Sequence, residues 1–276
     1  MKYMYFNSSC SYAGVANLLF LKGIDTEDFL IANAIYLPYL LLKDGASYLA
    51  GPMLQSKEIF DIYLNALGYE FIEENYDKED VLKILEVADK NYMLGVNIAP
   101  GNKHAIIFKD YKDNRFRFIN NKYDDSDEPD EFVWTAEELA ERLDEVTQLA
   151  HLEKCDAKDV DMEEPLLKSI ENLGALKKDI INFSKREITK EELRESMNTL
   201  FRAALLDLVT MFILIEEDKL MKRTQKLQKE YIGVIKKGKD SLVLEEEMDV
   251  AGLVDVLNEW ERLMKKNLKE YREERI

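Results

Sequence analysis

The chain has 276 residues, 46% hydrophobic and 34% charged, enough apolar side chains for one large domain or two ordinary ones. Its formal net charge of −17 argues against nucleic-acid backbones and anionic membrane surfaces as partners. Two cysteines, Cys10 and Cys155, are too few for a disulfide framework, and Met1-Lys2-Tyr3-Met4-Tyr5-Phe6 lacks the apolar core of a secretion signal, so the expected compartment is the reducing cytoplasm.

In chain order, the first predicted element is an apolar helix from Cys10 to about Lys22, closed by Gly23. Thr26 caps a second helix, Glu27 to about Ala34. Tyr36 to Leu42 is apolar around Pro38, and Gly45 to Pro52 reads as a loop. Ser56 caps a helix to Leu67, Tyr69 to Ile72 reads as a strand, and Asp77 and Asp80 frame a helix ending near Lys90. Strands follow at Tyr92 to Ile98, from His104 through Phe108, and at Arg115 to Ile119. Pro100-Gly101-Asn102 turns between the first pair and Lys112-Asp113-Asn114 between the second. After the acidic run Asp124 to Glu131, Thr135 and Glu138 form a capping box that opens a helix toward Ala150.

Cys155 to Pro165 is polar and reads as a linker. Beyond it the period is helical: Leu166 to Ser184, Lys190 to Lys237 and Glu245 to Arg272, with a second capping box at Thr189 and Glu192. Leu200 to Ile215 is apolar but carries Arg202 and Asp207, which fits a buried bundle helix and not a bilayer span. The charge divides unevenly. Residues 1–160 carry 16 Lys and Arg against 30 Asp and Glu, a balance of −14, and residues 161–276 carry 22 against 25, a balance of −3. Two domains are therefore expected, an α+β domain over 1–157 and an all-α helical domain over 158–276.

Cys10 stands at a helix start, facing unpaired N–H groups and the positive end of the helix dipole, which favours the reactive thiolate. His104 opens a strand, and the next strand ends on Asn120 and Asn121. Cysteine, histidine, asparagine in that order suggests a nucleophilic site in which His104 serves as base and an asparagine orients its ring. Asn121 is the first choice and Asn120 the alternate, since adjacent strand residues face opposite sides. The Cys10 backbone N–H is a ready oxyanion donor, and Asn7 is the nearest side-chain candidate, although it could equally cap the helix. His151 and Cys155 share a helical spacing but do not make a zinc site, and no phosphate-binding loop or zincin motif occurs, so no cofactor or metal is expected. The basic run Lys219 to Lys239 reads as a solvated helix face, with docking of an acidic partner the alternative.

Ser9-Cys10-Ser11-Tyr12-Ala13 before an apolar helix, and His104-Ala105-Ile106-Ile107 followed by Phe118-Ile119-Asn120-Asn121, resemble the papain-like superfamily. They are similar to the bacteriocin-processing double-glycine peptidases, and more so to the N-terminal domain of the butirosin-biosynthesis protein H family, over roughly residues 7–150. The resemblance implies a papain-like cysteine-protease fold and cysteine-centred acyl chemistry. That chemistry is either acyl transfer from a carrier-protein thioester to an amine, or cleavage after a Gly-Gly leader. The peptidases place an oxyanion glutamine six residues before the cysteine, where this chain has Met4, and they usually have aspartate where it has Asn121. The expected partners are a small-molecule or peptide acyl substrate and an acyl carrier protein. Tyr36 to Met53 is a candidate wall of the acyl pocket, and the long helices could pair two copies of the chain. A non-catalytic binding module on the same fold is the rival expectation.

Overall fold

The computed structural model describes residues 9–99, 101–120 and 131–275. The chain runs through helices α1 (Cys10–Leu21) and α2 (Asp28–Ala34), a hairpin of β1 (Leu41–Asp44) and β2 (Ser47–Ala50), helix α3 (Lys57–Ala66), strand β3 (Tyr69–Asp77) and helix α4 (Lys78–Glu86). Strands β4 (Met93–Ala99), β5 (Asn102–Lys112), β6 (Arg115–Asn120) and β7 (Glu131–Trp134), helix α5 (Ala136–Ala140) and strand β8 (Val146–Lys154) follow. The remainder is α6 (Glu163–Lys185), β9 (Glu187–Thr189), α7 (Lys190–Ser196), a π-helical segment Met197–Asp207, α8 (Leu208–Leu214), α9 (Asp218–Lys237), β10 (Ser241–Val243) and α10 (Val250–Glu274). The protein is thus mixed α/β, built on a large antiparallel sheet and many helices.

The contacts divide the chain into two compact units. One holds the chain up to Ile35 together with Gln55–Val160, and the other holds Tyr36–Leu54 and the chain from Asp161 onward. The first unit is organised by a six-stranded sheet in the order β3-β8-β4-β5-β6-β7, every pair antiparallel. Strand alternation gives this sheet two faces. On one, Leu94, Val96, Ile106, Phe108, Phe116, Phe118 and Leu149 pack with Val81 and Leu85 of α4, and with Leu139 and Leu143 at and beyond α5. The other face belongs to α1 and α3. Tyr12 stacks edge-on against Phe60, and Phe60 against Phe71. Phe71 lies opposite Leu152, Ala150 opposite Met93 and Gly95 opposite Ala105, which carries the same face across to β5.

Helix α1 is buried almost all round, at Tyr12, Ala13, Val15, Ala16, Leu18 and Leu19, so its sequence is apolar without a polar stripe. It ends in a Schellman motif. Gly23 adopts a φ of +83° and donates to Phe20 O, while the Ile24 N–H reaches Leu19 O at 3.0 Å. Asp113 and Asn114, both at positive φ, form the two-residue turn between β5 and β6, as the sequence predicts.

Several elements differ from expectation. The predicted Thr135–Glu138 capping box is present, but the helix it opens stops at Ala140, and Val146–Lys154 is a strand rather than a helix. Strand β8 pairs with β3 on one edge and β4 on the other. Hydrogen bonding on both edges outweighs the local helix propensity there. Strand β3 extends to Asp77 for the same reason, with all nine of its residues paired to β8. The predicted loop at Gly45 is a hairpin turn with Gly45 at φ +57°.

In the second unit the hairpin is tied to α6. Ser169 Oγ accepts from Leu41 N at 3.0 Å, and Asn172 Nδ2 donates to Leu41 O at 2.8 Å. Buried Trp260 of α10 donates to Pro38 O at 2.8 Å. These bonds satisfy backbone groups that a buried loop would otherwise leave orphaned. The stretch Lys190–Lys237, predicted as one helix, is broken. It turns π-helical over Met197–Asp207, and Glu216 at φ +59° ends α8 through a Schellman pattern in which Glu217 N reaches Phe212 O at 2.8 Å. The segment Lys190–Leu214 is long and apolar enough to cross a membrane by length and composition. Within this unit its Phe201, Ala203, Ala204, Leu205, Leu208, Met211 and Phe212 are buried. The basic residues around α9 are partly matched. Arg223 pairs with Asp255, Lys226 with Glu230, and both Lys237 and Lys239 with Glu247.

Asp207 closes the π segment at 4% exposure, with Arg202 Nε 3.6 Å from its Oδ2. Burial pushes its carboxyl up to about 7, against the pull of Arg202. A raised folded pKa means that folding holds the proton after the unfolded chain has released it. Stability contributed below about pH 4 is therefore lost as the pH rises toward 7, by a few kcal/mol in all. Asp207→Asn should flatten this slope and leave the protein more stable than wild type at pH 8. Thermal unfolding of both proteins at pH 5 and pH 8 checks it, and parallel profiles would refute it.

Candidate active site

Cys10 is the first residue of α1, partly exposed, with Ser9 as N-cap. Ser9 makes no side-chain cap bond. It is 2% exposed, and its Oγ turns instead toward Gln55 Oε1 at 3.5 Å. The Cys10 Sγ accepts a hydrogen bond from the Ala105 backbone N–H at 3.1 Å. That contact locates the sulfur. Strand N–H groups lie in the plane of the sheet, pointing at a neighbouring strand. Among the described residues, β6 pairs with β5 only as far as Asn120 opposite Ile106. The next position along β5 is Ala105, whose N–H reaches the sulfur. Cys10 therefore sits beside β5, next to the last described β5–β6 pair.

A cavity of about 390 Å³ opens there, lined by residues that all belong to the first unit, Cys10 and His104 among them. The register sets His104 opposite Val96 and Asn120 opposite Ile106. Paired residues share a face, so His104, Ile106 and Asn120 project to the same side, with Asn120 and His104 as diagonal neighbours. Asn120 is 1% exposed. That side is the Val96 and Phe118 face, and Ala105 belongs to the α1 face. Among the described residues, the hydrogen-bond partner of the sulfur is the Ala105 N–H and not the imidazole. Cys10 and His104 thus share a cavity without a hydrogen bond between them. Asn7 and Asn121 lie outside the described residues, as does most of the acidic run before β7. Tyr36 to Met53 belongs to the second unit.

The cavity holds polar residues that sequence reasoning missed. Gln55 reaches it from just before α3, Glu73 from β3, Lys103 from β5 and Gln148 from β8. Glu73 and Gln148 escaped because one lies past the predicted end of its strand and the other falls in a predicted helix. Only the cross-strand pairing of Glu73 with Ala150 and of Ala150 with Met93 brings them to the cavity, and no local period marks it. Lys103 is engaged by Asp144 in an ion pair. Burial raises the Glu73 carboxyl above its usual range, as do Glu58 and Asp61, while Lys57 opposes.

The second histidine is elsewhere. His151 on β8 is 5% exposed, with Nε2 2.9 Å from Glu153 Oε1 and 2.8 Å from Lys90 Nζ. Those two neighbours hold the exposed Glu153 carboxyl down at about 2. Cys155 donates to Asn65 Oδ1 at 3.6 Å. No group of three or more metal-ligating side chains occurs among the described residues.

No protein-family model matches the chain, and no curated protein matches it significantly.

The two thiols differ in role: Cys10 accepts an N–H bond, whereas Cys155 donates its own proton. An accepting sulfur in a cavity presents its lone pairs for attack, whereas the Cys155 sulfur is engaged through its S–H. Iodoacetamide at neutral pH should therefore modify Cys10 about tenfold faster than Cys155. Peptide mass spectrometry over time reads the ratio, and equal rates would contradict the contrast drawn here.

Proposed function

We propose that the first unit is a papain-like acyl-transfer domain with Cys10 as its nucleophile. The supporting observation is the seat of Cys10: first residue of a buried helix, sulfur on the Ala105 N–H of β5, inside the cavity it shares with His104. Cys10 would attack the carbonyl carbon of a thioester or amide. The S–C bond forms, and the carbonyl electron pair moves to oxygen. The Cys10 N–H, at the uncapped start of α1, would receive that oxyanion. Collapse of the intermediate expels the thiol or amine and leaves an acyl-enzyme, which an amine or water then resolves.

His104 is the proposed base. It removes the thiol proton and returns one to the leaving group. It immediately precedes Ala105, whose N–H touches the sulfur, and it lines the same cavity. Rotation of the imidazole toward the sulfur would complete the pair, since catalytic hydrogen bonds often tighten only when substrate binds. Asn120, on the same face by register, is favoured as the residue that orients the ring. An acyl carrier protein remains the proposed donor, and the amine reading rests on the acidic balance of residues 1–160.

Acetyl-N-acetylcysteamine, a minimal carrier-like thioester, tests the proposal. The expected product is an acetyl adduct on the Cys10 peptide, absent in Cys10→Ala and formed about 100-fold more slowly in His104→Ala. Asn120→Ala should slow it by less. Adduct formation that is indifferent to His104→Ala would remove the base assignment. Cleavage of a Gly-Gly peptide without thioester capture would move the reading to a peptidase.

A further inference from the structure

Glu73 lies on β3 opposite Ala150, and it lines the Cys10 cavity on the face that carries Gly95 and Ala105. It is half-buried. Among the described residues no ion pair involves it, and the cavity's lysine, Lys103, is already bound to Asp144. Ser9, Ser11, Gln55 and Gln148 supply neutral polar wall. Glu58 and Asp61 oppose the Glu73 charge, and Lys57 offsets them only in part, with its own Nζ 2.6 Å from Asp61. Among the described residues, the cavity therefore presents one carboxylate that accepts from the Lys57 backbone N–H but has no ion-pair partner. It shares with the sulfur a space small enough for a charge on a bound molecule to feel that carboxylate directly.

We propose that the Cys10 cavity takes a substrate bearing a positively charged group, an ammonium or guanidinium, and that Glu73 is the residue that selects it. This assignment rests on Cys10 being the reactive group. The cation is a handle and not the attacking atom, because an ammonium has no lone pair. A bound cation restores to Glu73 the counter-charge that its own unit withholds, and an anionic group at the same place is repelled.

Charged methanethiosulfonates test this without knowledge of the substrate. The Cys10 thiolate attacks their sulfenyl sulfur, a disulfide forms, and methanesulfinate leaves with the bonding pair. The full-length Cys155→Ser protein is treated with the trimethylammonium-ethyl reagent and with the sulfonatoethyl reagent. The ratio of rates is compared with that of a small free thiol. The cationic reagent should be favoured about tenfold beyond the free-thiol ratio. Glu73→Gln should remove most of that preference, Glu73→Asp should keep it, and Glu79→Gln on the exposed side of α4 should leave it unchanged. A ratio unaffected by Glu73→Gln overturns the Glu73 assignment while leaving Cys10 as nucleophile. Failure of both reagents to modify Cys10 overturns both.

Discussion

The hydrogen bond from the Ala105 N–H to the Cys10 sulfur joins the two halves of the candidate site. It requires α1 to start at Cys10, and it requires a β5 register that turns the Ala105 N–H, in the sheet plane, toward the sulfur. Both conditions are set at a distance. The start of α1 is fixed by its buried body and by the Schellman closure at Gly23. The β5 register is fixed by the two-residue turn at Asp113 and Asn114 and by the Phe108–Phe118 pairing behind it. A one-residue slip of β5 against β6 would exchange the faces of His104 and Ala105 and take that N–H away from Cys10.

This explains why parts of the site were legible in the sequence and parts were not. Cys10 at a helix start, the strands on either side of the Asp113 turn and both capping boxes rest on local signals, and each was readable. Strand β8 was not. Its residues follow a capping box and look helical in isolation, and only the two partners that flank it make it a strand. Because Gln148 and Ala150 come from β8 and Glu73 from the unpredicted end of β3, one wall of the cavity was hidden along with them. The cavity's composition is thus a tertiary fact, whereas the placing of its cysteine at a helix start is a local one.

The helical unit makes the same point from backbone geometry. Leu200 to Ile215 was readable as a buried stretch, but not its interruption. Helix ends of this kind usually carry glycine at the left-handed position, and here Glu216 occupies it, so the punctuation is missing. The π segment leaves no compositional mark either. Its consequence is the placing of Arg202 and Asp207, five residues apart, within 3.6 Å. In an α-helix that spacing is not a neighbouring one, whereas the wider π turn brings it round. A buried carboxyl is thereby given a partial counter-charge from within its own segment.

Charge links these observations to the chemistry. The acidic balance of residues 1–160 is not a uniform field, since Lys57, Lys90, Lys103 and Lys109 each meet a carboxylate on the sheet or at its rim. Exposed pairs of that sort contribute little to stability and are screened by salt. Glu73 differs in being half-buried and unmatched by an ion pair among the described residues, so its charge acts over a short range within the cavity. Net charge governs encounter at a distance, and a single positioned carboxylate governs what is retained beside the sulfur. The second effect is the one that discriminates between substrates of equal size, and it depends on β8 and β3 pairing in the register that sets Glu73 against Ala150.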